Sequence, residues 1–347
     1  MESKLKLIYD LNLDELKELV VNLGEPAYRA SQIWQGIYQH YWQNQDDFTN
    51  LPFQFRQKLA GFLLFTSLQP VKILKSADSQ TIKTLFKLND NRFVEAVLML
   101  YEDRRTLCIS TQVGCAMGCV FCATGQMGFQ RNLTSGEIVE QVIYYARQLN
   151  SQGENVTNVV VMGMGEPFHN YAATLSAIDR LNHPEGMNLG ARRFTISTVG
   201  LIPMIRKFAN EKRQINLAIS LHEANDEHRS KLLPVNKKYP IDDLLDACRY
   251  YVEKTGRRIT FEWALIQDVN DSIGTAQELS QKLRGLLCHV NLIPLNPTHH
   301  YNGQPSRRDK VDAFRNVIEK TGIPCTIRIR RGIEIEAGCG QLANPES

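Results

Sequence analysis

The chain has 347 residues, of which 43% are hydrophobic, so it can bury the core of one barrel-sized domain and a smaller one. Its net charge of +3 is too small to argue for nucleic-acid binding by itself. No apolar run approaches the ~20 residues that cross a bilayer, and the first residues lack the apolar stretch of a signal peptide. These features exclude a membrane-spanning protein and predict a cytoplasmic one without a membrane partner.

Residues 1–90 have a different pattern from the rest of the chain. The apolar spacing predicts three helices and then two strands, over residues 11–23, 27–41, 51–64, 71–76 and 81–88. The aromatic side chains of Trp34 and Tyr38 lie on the second helix and are predicted to be core residues rather than a base-stacking platform. We therefore expect a small helical domain that leads into a β extension.

From residue 106 onward, strand-like and helical patterns alternate. Strands are predicted over residues 106–111, 158–162, 194–198, 215–221, 259–265 and 290–295, with a last one over residues 325–330. Helices are predicted between them over residues 134–149, 172–181, 201–209, 241–253, 273–286 and 309–320. Six β-α units predict an α/β protein with a parallel sheet, either open or curled into a barrel. In a barrel of this kind the chemistry gathers at the C-terminal ends of the strands.

Three cysteines fall within eight residues on the loop after the first of these strands. Cys115, Cys119 and Cys122 have the spacing C-x3-C-x2-C, with glycines among them that let the backbone curl. Three thiolates suit tetrahedral zinc only if a fourth ligand comes from elsewhere. A [4Fe–4S] cluster normally takes four cysteines, so three would leave one iron with an open position. Three further cysteines, at 248, 288 and 325, lie in apolar contexts that favour inert packing.

The C-x3-C-x2-C spacing resembles that of the radical S-adenosylmethionine (SAM) enzymes. The resemblance implies a [4Fe–4S] cluster whose open iron binds SAM, and it favours a partial (β/α)6 barrel of the TIM type. Gly163-Met-Gly165-Glu166-Pro167 follows the second parallel strand and resembles the strand end that holds the SAM amino group in that superfamily. Further polar positions at strand ends are predicted to complete one SAM pocket: Ser197, Ser220, Leu221, His222 and Asn296.

Two more cysteines make the resemblance more specific. Cys108 in the first parallel strand, the Gly-x-Gly-Glu-Pro turn and Ala-Gly-Cys339-Gly-Gln-Leu near the C-terminus together resemble the RlmN/Cfr family of RNA methyltransferases. The stretches at residues 25–34 and 129–134 also fit. The one departure is glutamate at acidic positions of residues 331–336, where members of the family often carry aspartate. The resemblance covers nearly the whole chain.

The family resemblance also implies a division of the chain. Residues 1–90 would be a helical, RNA-docking domain with its β extension, residues 91–330 the radical SAM barrel, and residues 331–347 a segment that carries the catalytic cysteine. The partners implied are 23S rRNA, tRNA and a reducing electron donor.

The resemblance implies methylation of adenine C2 in 23S rRNA and in tRNA beside the anticodon, with one cluster per chain and two SAM per turnover. Cys339 would take a methyl group from one SAM, and a radical made from the second would remove a hydrogen atom from it. The resulting carbon radical would add to adenine, and Glu95 would remove the ring proton. Cys108 would then form a disulfide with Cys339 and release the RNA.

Three alternatives stay open at this point. Cfr-type enzymes methylate adenine at C8 with the same cysteines. A zinc-stabilised RNA-binding protein without catalysis would use the same thiol loop. Glu95 would, in the commoner case of a half-exposed strand, simply face solvent.

Overall fold

A computed structural model describes residues 5–343 of the chain. Residues 1–4 and 344–347 lie outside the described part. The undescribed residues include the start of the stretch predicted to lack a signal peptide. They also include the end of the segment predicted over residues 331–347. No helix within residues 5–343 is long and apolar enough to cross a membrane.

The N-terminal part is a cluster of three helices, as predicted, and each helix is shorter than its apolar pattern. Its elements are β1 (Lys6–Leu7), α1 (Leu13–Asn22), α2 (Tyr28–Tyr38), α3 (Phe53–Ala60) and β2 (Leu63–Leu64). Trp34 and Tyr38 are buried with ring centroids 4.5 Å apart, which confirms them as core residues. The short parallel pair of β1 and β2 was not predicted.

Three antiparallel strands connect the helices to the rest of the molecule. They are β3 (Leu68–Lys75), β4 (Thr81–Leu88) and β5 (Phe93–Leu100). All three belong to one ten-stranded sheet that continues into the barrel. The predicted domain boundary at residue 90 falls within this sheet, because β4 before it pairs with β5 after it. The three-part division of the chain stays a prediction.

The remaining elements alternate between strands and helices, as the six predicted β-α units require. In chain order they are β6 (Arg105–Cys108), β7 (Gln112–Gly114), α4 (Ala123–Gln126), β8 (Phe129–Asn132), α5 (Ser135–Asn150), β9 (Asn158–Val161), α6 (Tyr171–Asn182), β10 (Phe194–Thr198), α7 (Ile202–Asn210), β11 (Asn216–Ser220), α8 (Asp226–Leu232), α9 (Ile241–Thr255), β12 (Ile259–Leu265), α10 (Ile273–Lys282), β13 (Cys288–Pro294), α11 (Arg308–Lys320) and β14 (Cys325–Ile327). Strand β6 and strands β9 to β14 form seven neighbouring parallel strands. The predicted parallel sheet is confirmed, whereas α4, α8 and the β7–β8 pair were missed.

Alternation along the strands separates the packed face of the sheet from the face that lines a cavity. On β12, Phe261 and Trp263 are completely buried, and Trp263 packs against Phe314 of α11 with ring centroids 5.6 Å apart. The intervening Glu262 and Ala264 line an internal cavity instead. Because successive strand residues point to opposite faces, apolar packing outside and polar groups inside follow from one sequence pattern.

Candidate active site

The loop with the three cysteines lies at the C-terminal ends of the parallel strands. It follows β7, and it is held from two sides by backbone hydrogen bonds from Val120 N–H to the carbonyl of Leu232 (3.1 Å) and from Ala123 N–H to that of Gly340 (2.7 Å). Burial raises the pKa of Cys115 to about 12, and burial also raises the pKa of Cys119 well above its ordinary value. These thiols therefore stay protonated at neutral pH unless a cation replaces the protons.

The glycine turn after β9 brings a carboxylate to the same end of the sheet. Gly165 has φ of +102°, and a Cβ there would lie 2.5 Å from Gln112, so only glycine fits. Glu166 is buried, and its two oxygens accept from the backbone N–H groups of Phe168 and Val199, each at 2.9 Å. Burial raises the pKa of Glu166 to about 7, which leaves this carboxyl close to half ionised at neutral pH.

The polar residues predicted at strand ends come together around one cavity of about 160 Å³. The lining includes Cys119, Cys122, Gly165, Glu166, Ser197, Ser220, His222, Asn296 and Cys339. Leu221 is not part of this lining. Its side chain is buried in the core, its N–H donates to the carbonyl of Glu262 and its carbonyl accepts from Arg229.

His222 and Asn296 each direct a polar atom into this cavity. Burial lowers the pKa of His222 to about 3, and its Nδ1 accepts from the N–H of Ala264 at 2.9 Å. The ring is therefore neutral with its proton on Nε2, by inference from the hydrogen bond. Asn296 Oδ1 is buried without a hydrogen-bond partner among the described residues. A ligand that donates to Asn296 and accepts from His222 would satisfy both groups.

The C-terminal segment, which we define as residues 331–343, places Cys339 in the wall of the cavity. Asn296 Nδ2 donates to the carbonyl of Cys339 at 3.0 Å, and Gln341 Nε2 donates to that of Pro297 at 2.9 Å. On the opposite side, Thr124 of α4 donates to the carbonyl of Leu342 at 2.5 Å. The segment is thereby fixed between the loop after β13 and the cysteine loop.

Cys108 and Cys339 meet at a second, smaller cavity of about 30 Å³. Arg328 is half-buried and lines both cavities. Burial raises the pKa of Cys108 to about 12, the charge on Cys339 adds to this effect, and Arg328 opposes it. The two cysteines are thus close enough for their charges to interact. All eight cysteines of the chain are free thiols, and no disulfide links them.

Glu95 on β5 is only 1% exposed, so the expectation of a solvent-facing acid on a half-exposed strand is wrong. Its Oε1 forms an ion pair with Lys83 Nζ at 3.0 Å, and its Oε2 accepts from the N–H of Ala343 at 2.9 Å. Both faces of the strand are buried, and the C-terminal segment lies against the face that carries Glu95. Burial raises the pKa of Glu95, and Lys83 counteracts that rise.

The comparisons with known proteins agree with this geometry. Residues 109–278 match the Radical SAM superfamily, and residues 7–63 match the ribosomal RNA large subunit methyltransferase N-terminal domain. The chain is 48% identical to a probable dual-specificity RNA methyltransferase RlmN of Chloroflexus aurantiacus, over 99% of this chain and 94% of that protein. It is also 48% identical to dual-specificity RNA methyltransferase RlmN 1 of Myxococcus xanthus, over 96% and 93% respectively.

A solved structure extends the agreement to three dimensions. The crystal structure of a radical SAM methyltransferase from Sphaerobacter thermophilus superposes with a TM-score of 0.95 at 51% identity, covering 97% of this chain and 99% of that chain. The chain belongs to the RlmN family of radical SAM RNA methyltransferases. The fold predicted from the resemblance is therefore confirmed.

Membership in the RlmN family implies a [4Fe–4S] cluster and SAM, and the residues present fit both. Within the described residues, no three His, Cys, Asp or Glu side chains converge on a single metal ion. A cubane cluster makes a looser demand, since each thiolate binds a different iron. The unpartnered Asn296 Oδ1 and the buried Glu166 carboxylate suit a ligand that carries an ammonium group.

Two charged residues of this RlmN-family site, the buried Lys83 and the half-buried Arg328, were missed from the sequence. Lys83 and Arg328 both lie in strand-like runs, where charged residues usually mark a solvent-exposed face. For Lys83 the sequence held one weak sign of burial, because strand alternation places it on the same face as the apolar Leu85. Cys248, Cys288 and Cys325 are buried in the core, as predicted.

Proposed function

We propose that the chain methylates C2 of adenosine in 23S rRNA and in tRNA beside the anticodon. One observation carries the proposal. Cys339 lies beside Cys108 at one cavity and lines the pocket of the predicted SAM ligands at another. A methyl-carrying thiol next to a second thiol suits a route through a protein–RNA adduct. The relatives are named dual-specificity RNA methyltransferases, which supports two classes of RNA substrate.

We assign the cluster to Cys115, Cys119 and Cys122, one cluster per chain. Glu166 and Asn296 would hold the amino and carboxylate end of SAM, while Ser197, Ser220 and His222 would contact the rest of it. When bound, the cluster and two SAM per turnover supply the methyl group and the one-electron chemistry that removes a hydrogen atom. A reducing electron donor is required for that chemistry.

Cys339 carries the methyl group in this scheme. With SAM bound, the Cys339 thiol would lose its proton and form a bond to the methyl carbon as the methyl–sulfonium bond breaks and the thioether product leaves. That carbon, after losing one hydrogen atom, would bond to C2 of adenine. C2 of adenine is not nucleophilic, so a direct polar methyl transfer would fail there. The hydrogen bond from Asn296 to the Cys339 carbonyl keeps the thiol in the pocket wall during these steps.

Glu95 and Cys108 complete the reaction. Glu95 accepts the proton that leaves C2, and its buried position supports this role because burial favours proton uptake. Cys108 then attacks the Cys339 sulfur, so that the sulfur–carbon bond to the RNA breaks and the two cysteines form a disulfide. The released carbon takes up a proton and becomes the methyl group, while the unpaired electron passes to the oxidised form of the electron donor. The reductant restores both thiols.

A cavity of about 670 Å³ on the other side of the C-terminal segment is the proposed entry for the RNA. Its lining includes Glu95 together with cationic or titratable side chains at Lys72, Lys83, His299 and His300. Positive groups at the mouth suit phosphates, and a base reaches Glu95 only after leaving its stack. We expect the enzyme to act in the cytoplasm, with no membrane partner.

Nucleoside analysis tests the proposal directly. The anaerobically purified and reduced protein is incubated with SAM and either 23S rRNA or tRNA, and the digested RNA is analysed by mass spectrometry. We expect 2-methyladenosine from both RNAs and none with Cys339→Ala. Formation of 8-methyladenosine would reassign the carbon, and no methylated adenosine from either RNA would overturn the proposal.

A further inference from the structure

Lys83 is one of the few lysines that the fold buries, with a side chain only 6% exposed. It lies on β4, whose register sets Leu85 opposite Glu95. Lys83 is two residues from Leu85, so it lies on the same face as Glu95 as its diagonal neighbour, within reach of a long side chain. Burying an ammonium group is costly unless partners compensate for it, and here there are two.

The first partner of Lys83 is the Glu95 carboxylate, with Nζ 3.0 Å from Oε1. The second is the carbonyl oxygen of Glu336 in the C-terminal segment, at 3.2 Å. One ammonium group therefore contacts both the proposed base and the segment that carries Cys339. The other carboxylate oxygen of Glu95 accepts from Ala343 N–H of the same segment, at 2.9 Å.

The backbone of Glu95 is fixed independently of Lys83. Ser110 Oγ donates to the Glu95 carbonyl at 2.6 Å, and the N–H of Glu95 contacts the Met164 sulfur at 3.4 Å. Strand position is thus set by the sheet and its neighbours. The direction and charge of the carboxylate depend on Lys83 and on the C-terminal segment.

We propose that Lys83 is a positioning residue of the methylation reaction, which keeps Glu95 ionised and holds it in register with the Cys339 segment. This inference rests on the proposed function. In the base step, the C2–H bond breaks, its electron pair stays with the ring, and the proton moves to Glu95. This step needs no further reactant.

The sign of the pH effect follows from the groups around Glu95. Burial raises the pKa of Glu95 and the Lys83 ammonium lowers it, while the charge on Glu336 acts in the direction of burial. Lys72, His299 and His300 line the same cavity from β3 and from the loop after β13. Removing the Lys83 charge leaves burial unopposed, so the carboxyl would need a higher pH to ionise.

Lys83→Met tests this inference through a pH profile of single-turnover release of methylated RNA. A neighbouring cation lowers a carboxyl pKa by about one to three units, so we expect the acid limb to move up by about one to three pH units. Covalent adduct should accumulate on denaturing gels below that limb. Methylation of Cys339 itself, measured on the intact protein, breaks no C2–H bond and should continue.

Lys87→Met is the matched control. Lys87 lies on the same strand, is partly exposed, and makes no ion pair with a described carboxylate. Its profile should coincide with that of the wild type. If Lys83→Met does not fold, Lys83→Arg carries the test, since it preserves the charge but displaces the nitrogen. For Lys83→Arg we expect the acid limb of the pH profile to stay in place and the rate of methylated-RNA release to fall at least about tenfold. A wild-type rate or a shifted acid limb would overturn the inference.

The two levels of the argument fail in different ways. A wild-type enzyme that makes no 2-methyladenosine removes the proposed function. Wild-type activity together with a Lys83→Met profile that matches the wild type at every pH removes only the role of Lys83.

Discussion

Two walls enclose the site, and they hold their buried carboxylates by different means. The barrel wall is formed by the ends of β9 to β13, and there Glu166 accepts from two backbone N–H groups, of Phe168 and Val199. The extension wall is formed by β4, β5 and the C-terminal segment. On that wall, Glu95 accepts from a lysine side chain, Lys83, and from one N–H group of the C-terminal segment.

The difference indicates a division of labour. Backbone donors at strand ends are fixed by the sheet, so the barrel wall offers a preorganised site for a cofactor. On the extension wall the donors are a side-chain ammonium and a segment held by hydrogen bonds outside the sheet, so this wall has more freedom to adapt to the proposed RNA substrate. Substitutions in the extension wall should therefore change mainly the methylation activity. Substitutions in the barrel wall should also change the stability of the fold.

The largest effect is expected from Cys339→Ala on the extension wall. Methyl transfer should fall to the detection limit because no sulfur remains to carry the methyl group, while reductive cleavage of SAM should persist on the barrel wall. Scintillation counting of RNA and chromatography of cleaved SAM measure the two activities separately. Cys325→Ala, on the edge strand of the barrel, is the control and should retain both. Loss of SAM cleavage in Cys339→Ala would argue against two independent walls.

Glu95→Gln should reduce methylation by about 10²- to 10⁴-fold, the usual contribution of a positioned base. The matched control is Glu140→Gln, which alters a buried carboxylate of α5. Glu140 accepts a hydrogen bond from the N–H of Ser67 at 2.8 Å. That change should cost about 1–3 kcal/mol of stability through a buried unsatisfied donor, with the rate of the folded enzyme preserved. Equal rates for the two variants would contradict the role of Glu95.

Glu166→Gln sharpens the comparison on the barrel wall. The pKa of Glu166 is raised to about 7, so the folded chain without cofactor keeps this proton between about pH 4.5 and 7 while the unfolded chain loses it. Its contribution to stability is therefore fully present below about pH 4.5 and falls by about 1.4 kcal/mol per pH unit as the pH rises to about 7. Denaturant unfolding of the wild type and of Glu166→Gln across this pH range measures the difference in their free energies of unfolding. That difference should not change with pH if Glu166 titrates normally.

The smallest effect is expected from Glu334→Ala, which loosens the C-terminal segment. Glu334 Oε1 accepts from the N–H of Ala77 in the turn between β3 and β4, at 3.1 Å. Loss of this exposed contact should cost about 1 kcal/mol, or about a fivefold lower population of the placed segment. Methylation at limiting RNA should slow by a similar factor. A loss as large as that of Glu95→Gln would show that the segment is more rigid than we infer.

The barrel was largely predictable because its signals are local. The predicted bounds of β10 and β12 match the structure, since buried parallel strands appear as continuous apolar runs between helical patterns. Of the seven positions predicted for the cofactor, six line the cavity at the strand ends, and Leu221 does not. The cysteine loop was equally visible from its spacing.

The extension wall was predictable only in part, because its contacts span the chain. The bond between Ala343 and Glu95 joins residues 248 apart, and the one between Glu336 and Lys83 joins residues 253 apart. Glu95 was expected to face solvent if its strand were half-exposed, and no prediction was made for Lys83. Both side chains are buried, and both contact the C-terminal segment. The role of Glu95 was inferred through family resemblance, and Lys83 had no comparable signal.

The most direct test of the central claim is covalent trapping of RNA by Cys108→Ala. Without this thiol the sulfur–carbon bond at Cys339 has no attacking group, so the reduced variant with SAM should accumulate protein–RNA adduct. After nuclease and protease digestion, mass spectrometry should find adenosine joined through C2 and one carbon to the Cys339 peptide. A Cys108→Ala protein that carries no adduct and turns over like the wild type would contradict the account.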